Sequence, residues 1–324
     1  MKAAVFKKYG PPEVLHIQER DKPAPAKNQI LIRNFATSVN SADWRLRKPE
    51  PTAVRLFLGL IRPAKSRQIL GAVFAGSVEE TGNEVKNFKP GDKVFGMTGL
   101  SMGTYAEYVC IKEDAAIGII PDNISFNEAA SIPFGASTSL HFLRKAAIQK
   151  GQSILIYGAS GALGTTGIQL AKHFGAEVTA VCSAGNKEMV MNIGADYHLD
   201  YTSTDFKSLS KRYDIVYETV NRLSFEDSMR YLKEKGTLIM ASAGISETLK
   251  GILSNVFRKY KVITGMAVEK PEEISYIQNL IASGDIKAVI DRTYALEEIA
   301  EAHRYVEAGH KKGSVVIEIG QYRH

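Results

Sequence analysis

The run Ser153-Ile154-Leu155-Ile156-Tyr157-Gly158-Ala159-Ser160-Gly161-Ala162-Leu163-Gly164 constrains this chain more than any other. Its consecutive apolar residues read as a strand buried on both faces. They lead directly into glycines at every third position, Gly158, Gly161, Gly164 and Gly167, and then into the helical spacing of Ile168–Phe174. Glycine permits the sharp turn and lets a pyrophosphate approach the backbone. The following helix N-terminus offers free N–H groups and a partial positive charge. A glycine loop set between strand and helix predicts a dinucleotide site, with Gly158, Ser160, Gly161, Ala162, Leu163 and Gly164 against the phosphates.

The surroundings support that placement. Asn127–Lys145 has helical spacing. Strand-like and helix-like runs then alternate through Glu177–Cys182, Asn186–Ile193, Asp214–Tyr217, Phe225–Leu232, Thr237–Ala241 and Lys261–Ala267. This βαβ rhythm predicts a doubly wound parallel sheet with helices on both faces. The first 120 or so residues differ. Ala3–Phe6, Gln29–Ala36, Val73–Glu79, Lys93–Met97 and Tyr105–Ile111 are short strand-like runs separated by Gly/Pro/Asn/Asp turns, which suggests a small barrel. Helical patterns at Pro271–Ser283 and Leu296–Glu307 precede a last strand, Ser314–Ile319. The expected division is 1–124 with 270–324 as one domain and 125–269 as the nucleotide-binding domain.

Charge and cysteine content exclude other classes. Seven basic residues, Arg45, Arg47, Lys48, Arg55, Arg62, Lys65 and Arg67, face one acid, Glu50, between Trp44 and Leu70. That segment therefore holds the whole formal charge of +6, and the remainder balances at 34 against 34. No zinc finger, RNP motif or basic heptad region is present, so nucleic acid is not an expected partner. Two cysteines, Cys110 and Cys182, exclude a disulfide framework and a four-cysteine zinc site. No apolar run reaches the roughly 18 residues of a membrane span. The N-terminal apolar stretch is too short for a signal peptide, so the cytoplasm is the expected location.

The end of the second nucleotide-domain strand selects the cofactor. An acid there would bond the adenosine ribose and repel a 2′-phosphate. Here Cys182-Ser183-Ala184-Gly185-Asn186-Lys187 carries none before Glu188. Ser183 and Lys187, with Tyr201 after the third strand, favour NADPH.

An ordered set of motifs runs the length of the chain: Met1-Lys2-Ala3 with Gly10-Pro11-Pro12-Glu13-Val14-Leu15; Asn40-Ser41-Ala42-Asp43-Trp44-Arg45; Gly71-x-x-x-Ala75-Gly76-x-Val78; and Phe88-Lys89-Pro90-Gly91-Asp92-Lys93-Val94-Phe95-Gly96. Further along come Gly103-x-Tyr105-Ala106-Glu107-Tyr108, Ala129-Ala130-x-x-Pro133 with Thr138, Ile193-Gly194-Ala195-Asp196 and Gly309-His310-x-x-Gly313-Ser314-Val315-Val316. In these the chain resembles the medium-chain dehydrogenase/reductase superfamily, and within it the zinc-independent quinone oxidoreductase-like branch. The resemblance implies an α/β protein with a GroES-like β-barrel catalytic domain, to which the C-terminal segment returns, and a Rossmann doubly wound parallel-sheet domain. Zinc-dependent relatives use a cysteine near the Asn40 motif and a His-Glu pair after its Gly71 counterpart; here Ser41, Ala72 and Val73 stand there. Many members of the branch carry Asp at the Val73 position, and close relatives often have a basic residue where this chain has Gly185. The seven histidines are scattered, so no metal is expected.

The resemblance implies hydride transfer from NADPH to a small-molecule quinone or α,β-unsaturated carbonyl. Without a metal, the developing oxyanion must meet hydrogen-bond donors. The candidates are the Asn40 amide, the Trp44 indole and the Arg45 guanidinium, Arg45 standing where plant enone-reducing relatives often have Lys. Enoyl-thioester reductases place a tyrosine a few residues after this motif; none lies between Trp44 and Leu70. Thr138 is expected at the nicotinamide end. Val220, Ala241 with Ser242, Thr264-Gly265-Met266 and Lys312 complete the expected cofactor set. A regulatory or structural nucleotide-binding protein without efficient turnover is the competing reading. The apolar, β-prone stretch 261–268 predicts a homodimer through the edge of the nucleotide-domain sheet. The segment 52–61, apolar and flanked by Arg and Lys, is expected to wall an acceptor pocket, with contact to an anionic membrane as the alternative.

Overall fold

The computed structural model describes residues 1–204, 209–256 and 260–320. The chain divides into two compact units. One comprises Met1–Phe134, Glu269–Ala282 and the segment from Ala288 onward; the other comprises Gly135–Val268 with Ser283–Lys287.

The first unit carries strands β1 (Lys2–Phe6), β2 (Leu15–Glu19), β3 (Gln29–Val39), β4 (Val73–Thr81), β5 (Lys93–Met97), β6 (Tyr108–Lys112) and β7 (Ile117–Ile119). Helices α1 (Ser41–Arg47), α2 (Val54–Leu58) and α3 (Phe126–Ser131) belong to it as well. α4 (Pro133–Ala146) leads into the second unit, where β8 (Ser153–Tyr157), α5 (Ala162–His173), β9 (Glu177–Cys182), α6 (Lys187–Asn192), β10 (Tyr197–Asp200) and β11 (Tyr213–Glu218) follow. α7 (Phe225–Arg230), β12 (Leu232–Met240), α8 (Ile245–Val256) and β13 (Lys261–Ile263) complete that unit's elements. The chain then returns to the first unit with α9 (Pro271–Ala282), β14 (Ile290–Ala295), α10 (Ile299–Ala308) and β15 (Ser314–Glu318).

The second unit's sheet runs β10-β9-β8-β11-β12-β13, every pair parallel. The order reverses between β8 and β11. In such sheets, ligands bind outside the carboxyl ends of the strands at this switch point. Ile154, Leu155 and Ile156 are fully buried, as a strand covered on both faces requires.

In the first unit β1 pairs β2, and a larger sheet runs β14-β15-β3-β4-β5-β7 with β6 also on β3. The C-terminal strand β15 is antiparallel to β3, with Val315 opposite Val39 and Val316 opposite Ser38. Ser314 Oγ donates to Ser131 O at 2.7 Å and fastens this return.

Several elements differ from the sequence expectation for local reasons. The helix expected over Asn127–Lys145 is two helices, because Pro133 cannot donate to the preceding turn. The strand expected from Tyr105 begins at Tyr108, since the backbone N–H of Tyr105 bonds Leu70 O instead. β13 stops at Ile263, where Gly265 soon turns to φ 111°. The sequence pattern does not mark β2, β7, β14, α1, α2 or α8 as separate elements. Of the seven histidines, His324 lies outside the described residues.

Candidate functional site

The glycine loop takes its shape from close backbone contacts. Gly158 has φ 80°, and a Cβ there would sit 2.5 Å from Thr219 Oγ1 and 2.7 Å from Val220 Cγ1. At Gly164 a Cβ would lie 2.3 Å from the Gly158 carbonyl oxygen, so the α5 backbone packs directly on the loop. Gly161 differs. A Cβ on it would meet only Gly158 O, at 3.6 Å. It is the N-cap of α5 and supplies no capping side chain. The loop is thus closed around Gly158 and Gly164 and open at Gly161, on the end of α5 that carries the positive dipole and unpaired N–H groups. That is the arrangement a pyrophosphate requires. Ser160, Gly161 and Leu163 are half-buried and Ala162 is buried.

The loop after β11 packs on this turn. Thr219 Oγ1 donates to Tyr157 O at 2.8 Å. Glu218, fully buried, accepts the N–H groups of Val220 (3.2 Å), Asn221 (2.7 Å) and Arg222 (3.0 Å). Burial raises the pKa of its carboxyl, while those N–H groups hold it down. Asn221 adopts φ 56° in the resulting turn. Sequence reasoning missed Glu218; an acid ending a buried strand was its only signal. Ala241 N–H bonds Glu218 O at 3.0 Å and Ser242 Oγ donates to Thr219 O at 3.1 Å, so both join the same strand ends. Val220 is exposed beside Gly158. Thr264, Gly265 and Met266 follow β13, with Met266 exposed. Thr138 is half-buried on α4, and the neighbouring Ser139 Oγ donates to Leu163 O at 2.9 Å.

At the other side of the switch point, Cys182 pairs with Asp200 in register, so Ser183 and Tyr201 leave neighbouring strand ends together. Asn186 Nδ2 donates to Ser183 Oγ at 3.2 Å, which frees the Ser183 hydroxyl proton for another acceptor. Lys187 is exposed at the start of α6. Tyr201 is exposed, its ring 6.4 Å from that of Tyr157. Sequence reasoning overlooked Asp200. Its Oδ1 accepts both the N–H (2.9 Å) and the hydroxyl (2.8 Å) of Thr202, and these bonds lower its pKa.

In the first unit, Asn40, Trp44 and Arg45 share the first turns of α1. Asn40 is buried; its N–H donates to Asp43 Oδ2 at 2.7 Å and its Nδ2 to Ser38 Oγ at 3.2 Å. The Arg45 guanidinium lies 5.3 Å from the Trp44 ring centroid. The β3–β15 register brings Lys312, three residues before Val315, to the same end of the sheet as Asn40. Its N–H bonds Asp291 Oδ2 at 2.8 Å and its side chain is exposed.

Behind α1 lies a sealed polar group. Burial raises Asp43 to a pKa of about 6, against the N–H groups of Asn40 and Gly71 and the Tyr105 hydroxyl, which favour its ionised form. Tyr105 OH lies 3.2 Å from His303 Nε2. Burial first, then the Arg47 charge, lowers His303 to about 3. Arg47 is fully buried, donating to Gly10 O at 2.6 Å and pairing with Glu307. The partners Tyr105, His303 and Glu307 were not identified in the sequence, because they lie up to 260 residues from the groups they meet.

Known protein families match both halves of the chain. The "Alcohol dehydrogenase GroES-like domain" family matches residues 26–122, and the "Zinc-binding dehydrogenase" family matches 193–317. A 2-methylene-furan-3-one reductase of Solanum lycopersicum is 32% identical over 98% of this chain and 79% of its own length. The solved quinone oxidoreductase of Coxiella burnetii has a TM-score of 0.89 at 31% identity, covering 99% of both chains. The Escherichia coli quinone oxidoreductase complexed with NADPH has a TM-score of 0.82 at 26% identity, covering 98% of this chain and 100% of that one. The chain belongs to the medium-chain dehydrogenase/reductase superfamily, in its quinone oxidoreductase-like branch. It is an oxidoreductase with the superfamily's GroES-like and Rossmann folds and a nicotinamide cofactor.

In this medium-chain dehydrogenase/reductase the segment expected to wall an acceptor pocket divides. Leu58 is fully buried in the core with Phe6, Leu70 and Tyr105, and Val54 packs on that cluster. Leu56, Leu60 and Ile61 are exposed to solvent. No helix among the described residues is long and apolar enough to cross a membrane.

Proposed function

We propose that this oxidoreductase is an NADPH-dependent, zinc-independent reductase of quinones or α,β-unsaturated carbonyls. The observation that carries the reading is the composition of the α1 end of the first unit. Ser41, Ala72 and the fully buried Val73 occupy the positions of the zinc ligands in metal-dependent relatives, and α1 presents N–H donors instead. Among the described residues no three His, Cys, Asp or Glu side chains are grouped to hold a metal ion. The family match that carries zinc in its description begins at residue 193, beyond those positions.

A bound nicotinamide would supply a hydride from ring C4 to the β-carbon of a conjugated acceptor, the π electrons would move to the carbonyl oxygen, and a proton from solvent would complete the reduction. Arg45 and Trp44 carry donors suited to that oxygen, and one well-aimed donor is worth roughly 3–4 kcal/mol. Asn40, fixed by Ser38 and Asp43, orients the nicotinamide or the acceptor. Conjugation spreads the negative charge, which is why these acceptors suit a site built on N–H donors rather than a metal. A 2-methylene-furan-3-one, named in the tomato relative's activity, has such a conjugated carbonyl. Gly161 with the α5 N-terminus binds the pyrophosphate, while Ser183, Lys187 and Tyr201 bind the 2′-phosphate. The edge strand β13 pairs with a second copy to make a homodimer.

The test is NADPH oxidation by the purified protein against a panel of quinones and enones, with metal analysis of the same sample. Turnover with about no bound zinc supports the reading. Cofactor binding without turnover, or stoichiometric zinc, overturns it.

A further inference from the structure

Four of the chain's six excess positive charges and, among the described residues, its most exposed Leu and Ile side chains lie in one short stretch. From residue 51 to 78 there are four cations, Arg55, Arg62, Lys65 and Arg67, and no acid. Within this stretch Leu56 is 80% exposed, Leu60 66% and Ile61 89%.

The exposure is built into the local fold. Leu58, buried in the core, anchors the segment, and Tyr9 OH donates to Gly59 O at 2.6 Å. Gly59 has φ 134°, and a Cβ there would lie 2.2 Å from Arg62 O, so the turn presenting Leu60 and Ile61 depends on this glycine. Ala64 N–H closes the turn on Leu58 O at 2.8 Å. The Arg55 guanidinium lies 5.1 Å from the Tyr9 ring centroid and that of Arg67 lies 4.3 Å from the Phe57 ring centroid. Arg67 also bonds the carbonyl of Leu100, another exposed apolar side chain. Arg62 and Lys65 are exposed, and among the described residues neither joins an ion pair. The result is a fixed knob with aliphatic tips and a cationic rim.

We propose that this knob, centred on Leu56, Leu60 and Ile61 and rimmed by Arg62 and Lys65, is a docking surface for an anionic lipid membrane. Aliphatic tips insert among acyl chains while long basic side chains reach back to acidic headgroups. A second copy is a poor occupant. A two-fold contact sets the same patch against itself, bringing the cations of both copies together with no acid between 51 and 78 to neutralise them. The segment does not cross the bilayer; it rests in the interface. Given the acceptor class proposed above, docking would place the enzyme where lipid-soluble quinones and enones partition, but the docking itself stands independently of that class.

The test is co-sedimentation of the full chain with vesicles of phosphatidylcholine alone and with added phosphatidylglycerol. Binding is expected only with phosphatidylglycerol, weakening with salt. The double variant Arg62→Gln/Lys65→Gln should lower the partition coefficient about tenfold. Leu56→Ser/Ile61→Ser should lower it by a similar factor. Both variants should keep wild-type thermal midpoints and rates of NADPH oxidation with a water-soluble acceptor. If either kinetic or stability readout falls, the knob belongs to the enzyme's own machinery and the proposal fails. Equal sedimentation with neutral and anionic vesicles also overturns it. A dimer by light scattering that Leu56→Ser/Ile61→Ser abolishes would assign the patch to a second copy instead.

Discussion

The Tyr105 hydroxyl lies 3.2 Å from Nε2 of His303, both side chains fully buried. That phenol also serves the Asp43 carboxyl, and it has one proton to give. When the proton goes to an ionised Asp43, the phenol oxygen accepts from His303 Nε2–H. The imidazole is then neutral, and its Nδ1, buried without a partner, is an unfilled acceptor rather than a stranded donor. The chain runs His303 to Tyr105 to Asp43, and Asp43 in turn accepts the N–H of Asn40.

This arrangement predicts opposed pH effects on stability. Asp43, raised from 3.8 to about 6, holds its proton more tightly folded than unfolded, so as pH falls between those values it stabilises the fold. His303, lowered from 6.5 to about 3, takes a proton more readily when unfolded, so its contribution is lost as pH falls below 6.5. From about pH 6 to 4 the two slopes offset. Asp43→Asn leaves the histidine slope alone, and stability should then fall by up to about 1.4 kcal/mol per pH unit on acidification. Urea midpoints across that range measure it. A variant slope equal to that of the wild type would refute the pairing.

The same group sets an expected acid limit for activity. Protonation of Asp43 weakens its hold on the Asn40 N–H, so kcat/KM should decline below about pH 6. Tyr105→Phe removes a donor that favours the carboxylate, and the acid limb should move to higher pH by about one unit. NADPH affinity should change less than about twofold, since the nucleotide loop lies in the other compact unit. An unmoved limb would detach the relay from the reaction.

The glycine loop separates folding from binding. Gly164→Ala places a methyl 2.3 Å from Gly158 O, and Gly158→Ala adds a side chain at φ 80° against Thr219; each should cost about 2 kcal/mol or more. Gly161→Ala meets nothing nearer than 3.6 Å and should fold with an unchanged thermal midpoint, yet bind NADPH about tenfold or more weakly because the methyl occupies the phosphate approach. Calorimetric titration alongside thermal melting checks this. Wild-type affinity in Gly161→Ala would move the pyrophosphate elsewhere.

Local signals made the nucleotide unit legible. Ile154, Leu155 and Ile156 announce a strand covered on both faces, and Gly158 and Gly164 occupy positions that a Cβ would block. The short strands were harder to read. β2, Leu-His-Ile-Gln-Glu, gains its identity from pairing with β1, and β14 from a parallel neighbour beyond α10. The sealed relay was not visible because Asp43, Tyr105 and His303 meet only through tertiary packing. Tyr105 looked like part of a strand, and His303 was one of seven unremarkable histidines. The apolar run 52–61 was visible, but Leu56 and Leu58 face opposite environments because α2 turns residues two apart to opposite sides of the helix.

Cofactor choice gives the remaining prediction. Ser183 Oγ already accepts from Asn186, so its proton is available, and Lys187 stands exposed one turn further on. Charge-assisted bonds to a 2′-phosphate are worth about 1.5–3 kcal/mol each. Lys187→Ala should therefore weaken NADPH about tenfold or more while leaving NADH nearly unchanged, and Ser183→Ala should act in the same direction more weakly. Asp200 supplies the opposing influence. Its carboxylate is held by Thr202 but stands in register with Cys182, one residue before Ser183. Asp200→Asn removes a negative charge from that neighbourhood and should raise the preference for NADPH over NADH. Fluorescence titration of both cofactors against the three variants decides the matter. If Lys187→Ala weakens both cofactors equally, or the wild type prefers NADH, the 2′-phosphate is not read by this strand end.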